Sequence, residues 1–83
     1  MDQVLLVYDI ENDRLRAKIA DACLDYGLDR IQFSAFTGKL SRNQQQELLQ
    51  KIGDILKDKR GKVRLIPITD QAWRNQLEIE NAG

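Results

Sequence analysis

The stretch Gln3-Val4-Leu5-Leu6-Val7-Tyr8-Asp9-Ile10 decides how the rest of the chain is read. It is an apolar run of strand formers with one acidic residue close to its end. The run is too short for a helix of ordinary length, so it predicts a strand buried on both faces. Alternation puts Val4, Leu6 and Tyr8 on one side and Leu5 and Val7 on the other. A carboxylate at the end of such a strand is costly unless water, a metal or a donor meets it. Asp9 is therefore the first candidate for chemistry, although an acid at a strand end is ordinarily a turn or cap residue.

Downstream, Glu11-Asn12-Asp13 offers a helix N-cap. Leu15, Ile19, Ala22, Cys23 and Tyr26 then recur at helical spacing, with Arg14, Lys18, Asp21 and Asp25 mostly on the other side. Gly27 stands where the residue after a helix favours a left-handed backbone, and Leu28 can pack back on the last turn. Arg30 to Leu40 is rich in aromatic and β-branched residues and predicts two short strands, Arg30–Ser34 and Ala35–Lys39, joined tightly or through a bulge. Ser41 and Gln44 form a capping box for a second helix whose apolar stripe is Leu48, Leu49, Ile52, Ile55 and Leu56. That helix is expected to end near Lys57 or Asp58, and a charged turn then leads into a strand from Val63 to Ile68. Pro67 marks that strand as an edge, or as close to its end. Trp73 to Glu80 alternates well enough to predict a half-buried fifth strand.

The order is βαββαβ plus a C-terminal strand, an α+β chain on the split βαβ or ferredoxin-like plan. Residues 1–68 make the core of a single domain and 69–83 a strand and tail. Two helices cover one face of the sheet, while the first strand is apolar on both. Something outside the fold is then needed over the other face, and a second copy of the chain is the economical answer: a homodimer packed through the open sheet faces, with the fifth strand pairing to the partner's edge.

Composition narrows the chemistry. At 83 residues the core is small, and one cysteine excludes an internal disulfide. Cys23 reads as a buried small hydrophobe. The absence of histidine removes a histidine general base, the serine or cysteine triads built on it, and any histidine-containing zinc site. An enzyme of this composition must work through carboxylates, Lys or Arg, hydroxyls, or a hard cation held by oxygen. Thirteen basic and thirteen acidic residues cancel, so nucleic-acid binding would rest on local patches. No apolar run approaches membrane length, and a soluble protein is expected.

Three segments carry a resemblance: Val7-Tyr8-Asp9-Ile10, then Leu15-Arg16-Ala17-Lys18, then Tyr26-Gly27-Leu28-Asp29-Arg30-Ile31-Gln32-Phe33-Ser34-Ala35-Phe36-Thr37-Gly38-Lys39-Leu40. In that order they resemble the second CRISPR-associated core protein, the small dimeric ferredoxin-like partner of the CRISPR spacer integrase, and the resemblance covers essentially the whole chain. It implies that Asp9 is the acid at the end of the first strand that faces its two-fold mate. It also implies that Tyr8 is the aromatic before that acid, Arg16 and Lys18 a basic pair on the first helix, Arg30 the arginine opening the second strand, and Phe36 the phenylalanine beyond the serine. Members of the family have been assigned metal-dependent endonuclease activity, on single-stranded RNA or on duplex DNA. In spacer acquisition the dimer bridges two integrase dimers. A prokaryotic cytoplasmic location follows from the same resemblance.

Two Asp9 carboxylates near a two-fold axis repel unless a cation sits between them, and Mg²⁺ or Mn²⁺ suits such a site. Asp9 is thus the expected metal ligand and catalytic residue. Arg14, Arg16, Lys18 and Arg30 are the expected nucleic-acid contacts, with Tyr8, Phe36 and Trp73 in supporting or interface roles. Each also has a plainer role: Arg14, Arg16 and Lys18 as a solvated helix face, the aromatics as core or interface, and Trp73 as an anchor for the last strand; Lys57 to Arg64 reads as a solubilising turn, and both basic clusters could equally be phosphate contacts. The competing functions are a non-catalytic scaffold for the integrase and DNA, and a toxin-like endoribonuclease of the same fold.

Overall fold

The apolar run forms strand β1 (Asp2–Asp9) in the computed structural model, which describes all 83 residues. It is followed by helix α1 (Asp13–Asp25), strands β2 (Asp29–Gln32) and β3 (Ala35–Leu40), helix α2 (Arg42–Leu56), strand β4 (Lys62–Ile68) and a short helix α3 (Asp70–Arg74). The four strands make one antiparallel sheet in the order β2-β3-β1-β4. β1 lies inside it between β3 and β4, as an apolar strand requires. β4 pairs only with β1, so Pro67 sits on an edge strand where a missing N–H is tolerated. No helix is long and apolar enough to cross a membrane.

Local signals set the helix ends. The Asn12 side chain accepts the Leu15 N–H at 3.0 Å and starts α1. At the other end Gly27 adopts φ +82°, and the Gly27 and Leu28 N–H groups donate back to the carbonyls of Leu24 and Cys23 at 2.9 and 3.1 Å. Helix α2 starts on the expected reciprocal pair: the Gln44 N–H donates to Ser41 Oγ at 3.1 Å and the Ser41 N–H to Gln44 Oε1 at 2.9 Å. It ends at Leu56, where Lys57 takes φ 52° without being a glycine.

The core lies between the two long helices and one sheet face. Val4, Leu6 and Tyr8 of β1 join Phe36 and Leu40 of β3, Leu15, Ile19 and Cys23 of α1, and Leu48 and Ile52 of α2. Gly38 is part of this packing, because a Cβ there would come within 2.7 Å of a Leu28 methyl and 3.3 Å of the Leu28 Cα.

Three expectations change. First, β2 and β3 are separated by a turn at Phe33-Ser34, and β2 ends at Gln32 after a register shift between Arg30 and Gln32. The predicted strand Arg30–Ser34 was therefore set one residue late at its start and two too long at its end.

Second, Trp73 to Glu80 is not a fifth strand in this chain. Thr69 caps α3 by accepting the Ala72 N–H at 3.0 Å, Trp73 falls inside that helix, and residues from 75 onward pair with no strand. A strand needs a neighbour for its backbone groups, and this segment pairs with neither free edge of the sheet, β2 or β4.

Third, the sheet face away from α1 and α2 is partly covered from within the chain. Asp70 pairs with Lys39 at 2.5 Å, α3 touches β1, and Trp73 with residues 76–81 shares a hollow with Ile31 and Gln32. On the same face, the Gln3 side-chain amide donates to Thr37 Oγ1 and the Thr37 hydroxyl donates to the Val4 carbonyl, both at 2.8 Å and both buried. The half of the face carried by β1 and β4 stays open, with Leu5 and Val7 half-buried and Ile66 39% exposed.

Candidate functional site

Asp9 ends β1 directly opposite Lys62 of β4, and two residues earlier Val7 stands opposite Arg64. Directly paired residues on neighbouring antiparallel strands share a face, so Asp9, Val7, Lys62 and Arg64 all project from the open side of the sheet. Together with Tyr8 they line a shallow hollow of about 280 Å³. The chain's ion pairs are Asp13–Arg16, Lys39–Asp70 and Asp25–Lys51, so Asp9, Lys62 and Arg64 are all left without an ionic partner. Asp9 is exposed, which removes the desolvation problem that its place in an apolar run suggests.

Tyr8 points the opposite way, into the helix-covered face. It is 6% exposed, stacks on Phe36 with ring centroids 6.3 Å apart and planes 21° apart, and its hydroxyl reaches the Phe33 carbonyl at 3.5 Å. Near it, Arg16 donates to the carbonyls of Ile10 and Glu11, both at 2.9 Å, pairs with Asp13, and lies with its guanidinium carbon 5.4 Å from the centre of the Phe33 ring. Arg16 thus ties the β1–α1 turn to the β2–β3 turn. Arg30 has no ion pair or side-chain hydrogen bond of its own and lies over the Phe36 ring. Tyr8, Asp13, Arg16, Ala17, Arg30 and Phe33 line a second hollow, of about 220 Å³.

The fold therefore brings Arg16, Arg30 and Tyr8 together and keeps them on the other side of the sheet from Asp9. Arg14 and Lys18 are exposed on α1 outside that hollow. Trp73 is elsewhere again, on α3 beside β2. Phe36 has no exposed surface and shapes the site only by carrying Arg30. Phe33 is 70% exposed beneath Arg16. Lys62 and Arg64 enter the sequence reading only within the basic cluster Lys57 to Arg64 and match no motif. Counting alternate positions back from Ile68 places both on one face of β4, and the register with β1 makes that the face of Asp9.

Two chemistries can be judged from these surroundings. Cys23 is fully buried, and burial pushes its thiol from 9.0 up to about 11, with nearby Arg30 pulling weakly the other way, so it is no nucleophile at neutral pH. No group of three acidic or cysteine side chains within the chain could hold a metal ion. One carboxylate is a minimal ligand set even for Mg²⁺, which keeps most of its waters. A divalent cation at Asp9 would need further oxygen donors from outside the chain, such as a second carboxylate or a phosphate.

Comparison with known proteins accords with this architecture. Residues 1–76 match the family model described as CRISPR associated protein Cas2. The CRISPR-associated endoribonuclease Cas2 2 of Chloroflexus aurantiacus is 46% identical over 78 residues, which span 94% of this chain and 92% of that protein. A CRISPR-associated endonuclease Cas1/endonuclease Cas2 fusion from Thermoproteus tenax is 32% identical over 76 residues, covering 92% of this chain and 29% of the fusion. In fold, the chain is similar to the crystal structure of Streptococcus pyogenes Cas2, with a TM-score of 0.79 at 21% identity over 95% of this chain and 99% of that one. The ferredoxin-like plan predicted from the order of elements is the plan these proteins share. A match that runs from the first residue through α3 leaves little of the sequence outside it, and the protein belongs to the Cas2 family of CRISPR-associated proteins.

Proposed function

We propose that this chain acts in CRISPR spacer acquisition as a homodimer that bridges the spacer integrase and contacts nucleic acid, and that it cleaves phosphodiesters at Asp9 with Mg²⁺ or Mn²⁺. The observation that carries the proposal is the position of Asp9: exposed, unpaired, and at the end of β1 on the sheet face that α1 and α2 leave free. The name of the Chloroflexus aurantiacus relative supports the nuclease half, and the Thermoproteus tenax fusion of Cas1 with Cas2 supports a partner of the integrase kind.

Packing two copies through Leu5, Val7 and Ile66 covers the apolar part of the open face and brings Asp9 towards its own copy. Asp9 from each protomer would hold the cation, which supplies Lewis acidity towards a phosphoryl oxygen and a water of lowered pKa. Arg30 and Arg16, with Arg14 and Lys18 along α1, contact the nucleic-acid backbone, while Tyr8 and Phe36 hold Arg30 in place. Trp73 and residues 69–83 belong to the dimer interface, where the exposed Leu77 and Ile79 find a partner's sheet edge. The work is done in the cytoplasm of a prokaryotic cell.

The second reading is a scaffold without turnover, favoured by the single carboxylate that each chain offers. Wild type and Asp9→Ala separate the two. Under the nuclease reading Asp9→Ala loses Mg²⁺- or Mn²⁺-dependent cleavage of single-stranded RNA and duplex DNA, and still pulls down the integrase. Full metal-dependent cleavage by Asp9→Ala would show the site to be misassigned. A wild-type protein that binds the integrase and cuts neither substrate is a scaffold.

A further inference from the structure

We infer that Phe33 is a base-stacking residue: its ring seats one unpaired nucleobase of a single-stranded nucleic acid beside Arg30, and so favours single strands over duplex. The inference rests on the proposed function in one respect, that the chain contacts nucleic acid. It adds the residue that senses whether the strand is paired.

Phe33 is the one aromatic side chain of the chain that is mostly exposed, at 70%. A single exposed aromatic needs no explanation by itself, but this one is held in place. The Tyr8 N–H donates to the Ser34 carbonyl at 3.1 Å and the Tyr8 hydroxyl reaches the Phe33 carbonyl at 3.5 Å, so the β2–β3 turn is tied to β1. Arg16 lies with its guanidinium carbon 5.4 Å from the ring centre, and is itself fixed by the Ile10 and Glu11 carbonyls and by Asp13. An anchored cation against the ring leaves the remaining ring surface to solvent in a fixed orientation. Little conformational freedom is then lost when a flat group stacks on it.

The surroundings identify the flat group. Phe33 lines the hollow of about 220 Å³ together with Tyr8, Asp13, Arg16, Ala17 and Arg30. Arg16 and Arg30 against Asp13 leave one net positive charge there, and Arg30 makes no ion pair. An aromatic platform next to an uncommitted guanidinium fits a nucleotide, whose base stacks while its phosphate pairs with the cation. An apolar peptide would leave Arg30 unanswered. A base within a duplex is covered on both faces by its neighbours, so only an unpaired one reaches the ring. Tyr8 is directed to the helix-covered side of the sheet, and the hollow therefore lies away from the face through which Leu5, Val7 and Ile66 are proposed to pack two copies together.

The test is binding in chelator, where metal-dependent cleavage is silent. The full-length protein is titrated with a labelled single-stranded RNA oligonucleotide, and with the same oligonucleotide annealed to its complement, across a salt series. Phe33→Ala should weaken single-strand binding by roughly tenfold or more and change duplex binding by less than about twofold. It should leave the dependence of log K on log salt unaltered, because no phosphate contact is lost, whereas Arg30→Gln should flatten that dependence by about 0.7. Phe33→Leu keeps an apolar contact for Arg16 without a π face, and should lose as much as Phe33→Ala. Phe33→Trp should bind at least as tightly as wild type, with fluorescence quenching on the single strand beyond that of wild type. Circular dichroism and sedimentation velocity on each variant report fold and association. Wild-type affinity from Phe33→Leu overturns the inference, as does an equal loss on single strand and duplex, or a loss that tracks a change in association. Intact RNA binding by Phe33→Ala with lost pull-down of the integrase overturns it too, and makes the turn a protein contact. A chain that binds RNA through Phe33 and cuts nothing upholds this assignment while the nuclease reading fails.

Discussion

Arg30 lies over the Phe36 ring with its guanidinium carbon 5.1 Å from the ring centre, while Phe36 itself has no exposed surface. A core aromatic thus aims an otherwise uncommitted cation. Phe36→Ala should cost about 3–5 kcal/mol of stability by denaturant unfolding, as a large buried side chain lost from a small core does. Phe36→Leu should keep the fold and cost less, yet weaken nucleic-acid binding by freeing Arg30. Equal binding by Phe36→Leu and wild type would leave the ring a purely structural role.

Thr37 accepts from Gln3 and donates to the Val4 carbonyl, and both hydrogen bonds are buried. Thr37→Val fills the same volume and leaves the Gln3 amide unsatisfied, so it should destabilise by about 1–3 kcal/mol. Pairing Thr37→Val with Gln3→Leu should recover part of that loss, and a double-mutant cycle measures the coupling.

Lys57 ends α2 at φ 52° and ψ −118°, a backbone region that glycine enters far more easily. Lys57→Gly should raise stability by about 1 kcal/mol, read as a higher denaturant midpoint at an unchanged slope.

Burial raises the Cys23 thiol to about 11 from 9.0. Between those values the unfolded chain releases the thiol proton and the folded chain keeps it. Stability from this group is therefore complete below pH 9 and declines as pH rises towards 11. Cys23→Ala should show a weaker decline over that window. Alkylation of Cys23 at neutral pH should proceed only on unfolding, which a pulse of iodoacetamide along a denaturant series will show.

Leu77 and Ile79 are almost wholly exposed, at 99% and 98%, although they alternate with polar residues as a strand does. Ending the chain after Asn75 should leave the circular dichroism spectrum of the folded protein intact. Under the proposed dimer it should also raise the concentration at which protomers separate, measured by sedimentation. An unchanged dissociation profile would assign the tail no part in association.

Much of this architecture was written in local chemistry. Asn12, Gly27, Ser41 and Gln44 satisfy or redirect backbone groups a few residues away, so their roles could be read without knowing any neighbour in space. The apolar run of β1 likewise announced an interior strand, because alternation and burial are properties of the segment itself. The Asp9 position was legible for the same reason.

Tertiary structure decided what depends on a partner. Alternation of Trp73, Leu77 and Ile79 is compatible with a strand, but only pairing with a sheet edge makes one; within this chain Thr69 caps a short helix that includes Trp73, and residues 75 onward pair with no strand. Pairing across strands also determined that Lys62 and Arg64 stand beside Asp9, and that Arg16 and Arg30 meet on the far side of the sheet from it. Sequence by itself specified β1, the two long helices and the caps that start them, because those rest on interactions within a few residues. Which charges face one another across β1 and β4 was settled by register, a long-range property that takes form only when the strands pair.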